Sequence, residues 1–473
     1  MEFVGRHREL TVLRREWERI SAGTARPTRG TCLLVRGRRR VGKSRLVEEF
    51  LDRSGAPHVY FTASRQGARE LDVFVDDVVT STLPSRELLA SARFATWESA
   101  LRALANAIGD QPAVVVIDEL PYRTADEPSL EAVLQRVWDR WLSKTPVLLV
   151  LIGSDLARME ALSGHGRAFY QRGRELVVGP LTPPEAAQIV GIDDPADAFD
   201  AYLVTGGLPL VAAEWSPGAT LWDFLEAELH DPTSALIVSG ERSLAAEFPT
   251  EAQARAVLTQ IGAGERTFAN VARAAGGLQA SSLTRSLGVL LDKRIVARDL
   301  PLSAKPSREA RYRVADPSLR FWLAFVGPHV DEIERGRGDR VLARVRAGWD
   351  AWRGRAIEPM VREAVARLQP FDTVTDARAV GGWWTRTNVP EIDLVGIDRP
   401  AAPGAVCFVG SIKWRNDQPF DQADLAQLFA VSAAVPGASA ATPVVVASRS
   451  PVTARGVTIA LEPADLLQAW PLE

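Results

Sequence analysis

Cysteine occurs only twice in 473 residues, at Cys32 and Cys407. That excludes a disulfide scaffold and a multi-cysteine zinc site, and it fits a reducing compartment. The five histidines are scattered and offer no cluster of metal ligands. Long hydrophobic runs are missing as well. VLLVLIG at 147–153 is among the longest, far short of the roughly 18 apolar residues that span a bilayer. The opening MEFVGRHREL is charged and has no apolar signal core. A cytoplasmic protein without a membrane partner is therefore expected. Strong net charge is also absent. At -3 the chain has no global attraction for nucleic acid, so any such contact must come from a local basic patch. Lysine is scarce (Lys43, Lys144, Lys293, Lys305 and Lys413) and arginine supplies nearly all the positive charge, which makes each lysine conspicuous.

What is present is ordinary for a folded globular protein: 46% apolar and 24% charged residues. The length suggests about three domains. Residues 31–44 read TCLLVRGRRRVGKS. A short β-branched apolar run, as in a buried parallel strand, is followed by Gly37-x-x-x-x-Gly42-Lys43-Ser44 and then by RLVEEFL at helical spacing. The glycines let backbone N–H groups of Gly37, Arg38, Arg39, Arg40, Val41, Gly42, Lys43, Ser44 and Arg45 turn toward phosphates, and the helix start adds its positive dipole end. Lys43 is expected to bridge the β- and γ-phosphates of ATP, and Ser44 to ligate Mg2+. AVVVIDE at 113–119 ends a second apolar strand in two acids. Asp118 is placed to hold the Mg2+ shell, and Glu119 to orient or deprotonate the attacking water. PVLLVLIGS at 146–154 makes a third strand, ending in Ser154, a candidate contact to the γ-phosphate or the water. Helical segments at 43–53, 97–108 and 128–142 alternate with these strands. The pattern predicts a parallel α/β sheet with its ligand at the strands' carboxyl ends.

These motifs resemble the archaeal-type ATPase family of the AAA+/STAND class. FVGRHREL at 3–10 is similar to that family's opening signature beside the adenine, with Arg6 as its arginine. IDELPY at 117–122 resembles its acidic strand motif. AFYQR at 168–172 resembles a segment ending in a family arginine, here Arg172, although Gln171 stands where the family has glycine. The resemblance implies that Arg172 contacts the γ-phosphate; a solvated arginine stays open. TGGLP at 205–209 resembles the lid element that packs on the base, which makes Gly207 and Pro209 candidate nucleotide contacts or a plain interhelix turn.

The resemblance sets the domain order: nucleotide domain 1–180, helical lid 181–248, winged helix 249–316, helical linker 317–354 and nuclease-like domain 355–473. In the winged helix, TEAQARAVLTQIG, TFANVARAAGG and ASSLTRSLGVLLDKRIV read as three helices, and ARDLPLS and ARYRVAD as a hairpin. Ser281, Ser282 and Arg285 would lie on the third helix, and Lys305, Arg308, Arg311 and Arg313 on the wing. Eight basic residues face three acids between Ser281 and Arg313, the footprint of phosphate-backbone contact with DNA or RNA. A protein-binding or scaffolding winged helix stays open. Phe321, Trp322 and Phe325 fit one apolar face that joins domains.

In the last domain, RAIEPMVREAVARLQ at 355–369 is an amphipathic helix carrying Glu358, EIDLVGID at 391–398 a strand, and AVCFVGSIKW at 405–414 a second strand. Alternation places Glu391 and Asp393 on one face, and Ser411 and Lys413 on one face. This order resembles the PD-(D/E)XK nuclease fold, in which carboxylates hold Mg2+ and a lysine stabilises developing charge. Glu358, Asp393 and Lys413 match, but Ser411 replaces an acid, and a neutral hydroxyl is a poor ligand for a hard cation. Glu391 could supply the missing charge; otherwise the fold persists without the chemistry, inactive or as a further surface for DNA or RNA. The expected function is a switch ATPase. Its rivals are an ATP-gated nuclease and a regulator that binds ATP without turnover. An oligomer is compatible with the class.

Overall fold

The structure, a computed structural model, describes residues 3–22, 30–64, 69–90, 92–121, 124, 127, 129–164, 167, 169–247, 252–264, 266–399 and 404–472. Tyr122 and Ala168 of the motifs above lie outside them. The chain forms two compact units, Met1–Pro180 and Leu181–Leu472.

The first unit is built on strands β1 (Thr31–Arg36), β2 (His58–Thr62), β3 (Ala113–Asp118), β4 (Val147–Gly153) and β5 (Gly173–Val177), in the order β2-β3-β4-β1-β5. All pairings are parallel. Every residue of β3 and β4 is buried, which is why they read as unbroken apolar runs rather than alternating ones. Helices Lys43–Ser54, Trp97–Ile108 and Ser129–Arg140 are among those flanking the sheet. Because β4 lies between β1 and β3, the loop after β1, the acids closing β3 and the serine after β4 emerge at one edge of the sheet.

The second unit begins with helices Pro183–Val190, Pro195–Thr205, Leu221–His230 and Ala235–Glu247. Three helices, Ala252–Gly262, Phe268–Ala274 and Ala280–Asp292, and the antiparallel hairpin of β6 (Val296–Asp299) and β7 (Arg311–Val314) make the winged helix. Phe321 is fully buried, and its ring packs against those of Phe325, Trp349 and Trp352. Helix Gly338–Ala356 then leads into helix Glu358–Leu368 and a second sheet. Strands β8 (Ala379–Trp384), β9 (Glu391–Ile397) and β10 (Val406–Lys413) form an antiparallel meander, and after helix Gln422–Ser432, β11 (Val444–Ser448) and β12 (Ile459–Leu461) add on in parallel.

Helix Glu358–Leu368 covers one face of this sheet, with Leu394, Phe408, Ile412 and Val445. Helix Gln422–Ser432 covers the other, with Ile392, Val395, Ile397 and Val446. The first core also contains Phe199, Tyr202 and Leu203, so the expected lid shares a core with the carboxyl-terminal α/β region. A buried ion pair reinforces the join. Arg353, 1% exposed, donates to the Asp200 carboxylate at 2.8 Å, and Arg449 stands 3.1 Å from the same oxygen. Residues that the sequence divides into four pieces thus form a single unit.

Candidate functional site

The loop after β1 has the backbone that its glycines permit. A Cβ on Gly37 would stand 2.1 Å from the Val178 carbonyl oxygen, so no larger residue fits. Arg40 (φ 66°) and Gly42 (φ 87°) take left-handed conformations, and Gly42 caps helix Lys43–Ser54, whose free N–H groups form an anion site. The Lys43 ammonium is buried and donates to the Arg38 carbonyl at 2.9 Å, folded back across the loop. Arg45 points along its own helix, to Glu49 at 3.0 Å.

Three donors converge on the Asp118 carboxylate: the Ser44 hydroxyl at 2.6 Å, the Tyr60 hydroxyl at 2.7 Å and the Glu119 N–H at 2.7 Å. Glu119 has left-handed backbone (φ 53°), and its carboxylate accepts from the Ser154 hydroxyl at 2.9 Å. The expected residues Lys43, Ser44, Asp118, Glu119 and Ser154 are thus brought to one edge. Burial lowers the Lys43 pKa to about 8, Glu119 and Asp118 oppose that shift, and Arg39 adds to it. Burial, and then Asp118, pushes the Tyr60 hydroxyl upward. The hydroxyl of Ser44 and the carboxylate of Asp118 are hard oxygen donors of the kind Mg2+ takes, in contact and flanked by a lysine suited to phosphate, so the donor set fits Mg2+-nucleotide. Tyr60 escapes the sequence reading because its strand β2, HVYFT, is short and only partly apolar; the alternation along it is the signal that could have found it.

Arg6 is buried, and it braces the loop from outside by donating to the Val41 and Gly179 carbonyls at 2.8 and 2.7 Å. Arg172 is a correction. It precedes Gly173, which pairs with Cys32 near the start of β1. The phosphate loop follows Arg36, about 13 Å farther along at a strand's rise per residue. Arg172 instead forms a two-pronged ion pair with Asp139 at 2.8 and 3.1 Å. It does not reach the γ-phosphate position of its own loop. Gly207 and Pro209 belong to the second unit. A Cβ on Gly207 (φ 65°) would stand 2.3 Å from the Leu181 carbonyl oxygen, so packing of that turn already requires glycine. Pro209 starts the short helix Pro209–Ala212.

In the second sheet, Asp393 accepts from the Ser411 hydroxyl and the Ile412 N–H, both at 3.0 Å. Ser411 pairs with Val446, which places both on the face covered by helix Gln422–Ser432. Glu391 is a second correction. Gly381 and Trp383 pair with Val395 and Ile392, so β9 carries one extra residue there. Such a bulge breaks the two-residue alternation. Ile392 and Asp393 fall on one face, whereas Glu391, opposite Trp384, turns to the other and meets Arg311 at 2.6 Å. Glu358 is engaged by Arg362 at 2.9 Å, and burial raises its pKa. Lys413 lines a cavity of about 360 Å³ with Asp393, Ser411, Gln427, Asp424 and Glu391, but Glu391 is paired with Arg311 and Asp424 with Arg415. Among the described residues, no three His, Cys, Asp or Glu side chains gather as a metal site requires. The donors present do not fit a nuclease metal.

The wing brings a third correction. Arg311 is 7% exposed, stacked on Trp384 at 4.3 Å and bonded to Asn388 and Glu391. It is engaged by the carboxyl-terminal sheet and not free for nucleic acid. The Leu302 and Ala304 N–H groups donate to the Gly382 and Pro436 carbonyls, and the Trp384 indole donates to the Glu309 backbone carbonyl. Arg285, Lys305 and Arg308 stay exposed, and Arg313 pairs with Asp299 at 2.9 Å.

Residues 322–426 match the DUF234 family model, described as archaea bacterial proteins of unknown function. An uncharacterized protein of Methanocaldococcus jannaschii, MJECL04, is 24% identical over 401 residues, covering 81% of this chain and 83% of that one. The Walker-type ATPase PABY2304 of Pyrococcus abyssi has a TM-score of 0.45 at 18% identity, over 68% of this chain and 96% of that one. The Aeropyrum pernix ORC2 protein in ADPNP–ADP complexes has a TM-score of 0.44 at 14% identity, over 71% and 96% of the two chains. The DUF234 match lies toward the carboxyl end, across the expected helical linker and the first part of the expected nuclease-like domain. No helix of the described residues is long and apolar enough to cross a membrane.

Proposed function

We propose that this chain binds Mg2+-ATP at the edge formed by the Lys43 loop and Asp118, and that it works as a slow switch ATPase whose second unit is the output. The observation that carries this reading is the contact of Ser44 with Asp118 at 2.6 Å beside a buried Lys43. Mg2+, when bound, would neutralise charge between the phosphates. Lys43 holds the phosphate chain, and the loop's N–H groups fix its register. Glu119, oriented by the Ser154 hydroxyl, aligns and deprotonates the attacking water. Arg6 positions the loop through two carbonyls.

For the winged helix, the docking of Leu302, Ala304 and Arg311 on the carboxyl-terminal sheet supports scaffolding. For the nuclease-like region, Ser411 and the turning away of Glu391 support a fold kept without metal chemistry. Equilibrium binding of a fluorescent ATP analogue tests the core of the proposal. Lys43→Ala is expected to abolish binding, and tight binding by that variant would contradict the role assigned to the lysine. Mg2+- or Mn2+-dependent cleavage of nucleic acid that disappears in Asp393→Ala would overturn the non-cleaving assignment.

A further inference from the structure

Docking of the winged helix on the carboxyl-terminal region gathers arginines from three parts of the second unit. Arg266 lies just before helix Phe268–Ala274, and the residue after it, Thr267, bridges to Arg311 of β7. Arg313 is on β7, Arg320 in helix Pro317–Phe321, Arg355 near the end of helix Gly338–Ala356 and Arg362 in the next helix. Carboxylates answer three of the six by direct ion pairs: Arg311 with Glu391, Arg313 with Asp299 and Arg362 with Glu358. Arg266, Arg320 and Arg355 have no carboxylate within ion-pair distance among the described residues. Arg320 is held in place by donating to the Arg355 carbonyl at 3.2 Å. Its charged neighbours are Glu358 and, on the like-charge side, Arg313, Arg266 and Arg355; burial and this crowding bring its pKa down to about 10.

Like charges in a half-buried seam cost stability unless an anion offsets them. Fixed guanidinium forks match phosphate oxygens in pairs. We propose that the seam between the winged helix and the carboxyl-terminal α/β region, at Arg266, Arg320 and Arg355, binds the phosphates of a polynucleotide backbone. This goes beyond the scaffolding reading, because the docking that removes Arg311 from solvent is what assembles the seam. It uses no base edge, so it carries no sequence preference.

The test uses the full chain without nucleotide and fluorescein-labelled 20-mers of single-stranded DNA, duplex DNA and single-stranded RNA, read by anisotropy across a salt series. Arg266→Gln/Arg355→Gln is expected to weaken binding at least about tenfold and to lower the salt slope by about 2, one for each phosphate no longer neutralised. Arg355→Glu alone, at an exposed position, is expected to act in the same direction if the double variant fails to fold. Arg285→Gln/Lys305→Gln/Arg308→Gln is expected to stay within about twofold of wild type. Unchanged affinity in the seam variants, or weakening confined to the Arg285, Lys305 and Arg308 variant, overturns the proposal. Inorganic tripolyphosphate, tested on Lys43→Ala so that the phosphate loop does not take it, serves as the competing arm. If it binds that variant but no 20-mer binds the full chain, the polynucleotide assignment fails. If neither binds, the site itself fails. Because nucleotide is left out, none of these outcomes depends on the ATPase reading.

Discussion

Lys43 is under two opposed demands. Burial favours the neutral amine and lowers its pKa to about 8, while Glu119 and Asp118 favour the ammonium. Bound phosphates add negative charge and raise the pKa again. The chain should therefore take up about half a proton on binding ATP at pH 8 and almost none at pH 6.5. Calorimetry in buffers of different ionisation heat reads this uptake, and an apparent enthalpy at pH 8 independent of buffer would contradict it. Glu228 gives a stability prediction. Burial, and then hydrogen bonding and repulsion by Glu214, raise its pKa from 4.5 to about 8. Between those values the folded chain keeps the proton that the unfolded chain has released. Its contribution is thus fully present below pH 4.5 and is lost as pH rises toward 8. Glu228→Gln should raise Tm at pH 8 more than at pH 5, and equal shifts at both pH values would refute the assignment.

At the scale of elements, strands buried on both faces were legible and irregular ones were not. β1, β3 and β4 are apolar throughout their middles, and they stand out from composition alone. β5 runs along the sheet edge with exposed Arg174 and Glu175, so it looks like a loop, and the AFYQR resemblance that implies a phosphate contact for Arg172 takes no account of it. The bulge at Asp393 escapes any reading that assumes strict alternation, because one extra residue reverses the facing of Glu391. The wing's basic residues were found, but pairing Arg311 with Glu391, 80 residues away, needed the fold. Arg311→Ala should undock the wing hairpin, leaving Glu391 and Asn388 without their partner. Limited proteolysis should then cut faster between β6 and β7, and an unchanged digestion rate would count against the docking.

For the whole molecule, the motifs of the first unit were readable because local backbone makes the site: a loop, a helix start and two strand ends. The unity of the second unit was not, since it rests on contacts such as Asp200 with Arg353, 153 residues apart. Arg353→Ala would leave the Asp200 carboxylate buried without its main partner. It should cost about 3–5 kcal/mol, measured by urea denaturation of the second unit's transition. A cost below about 1 kcal/mol, the range of exposed pairs, would show that the shared core alone holds the join. The central claim concerns the first unit: a Mg2+-nucleotide held between Lys43 and Asp118, with its water aligned by Glu119. Phosphate release from ATP by the full chain, compared between wild type and Glu119→Gln, tests this most directly. The account predicts Mg2+-dependent release that falls at least about a hundredfold in the variant, with ATP affinity retained. Equal release by the two proteins would contradict it.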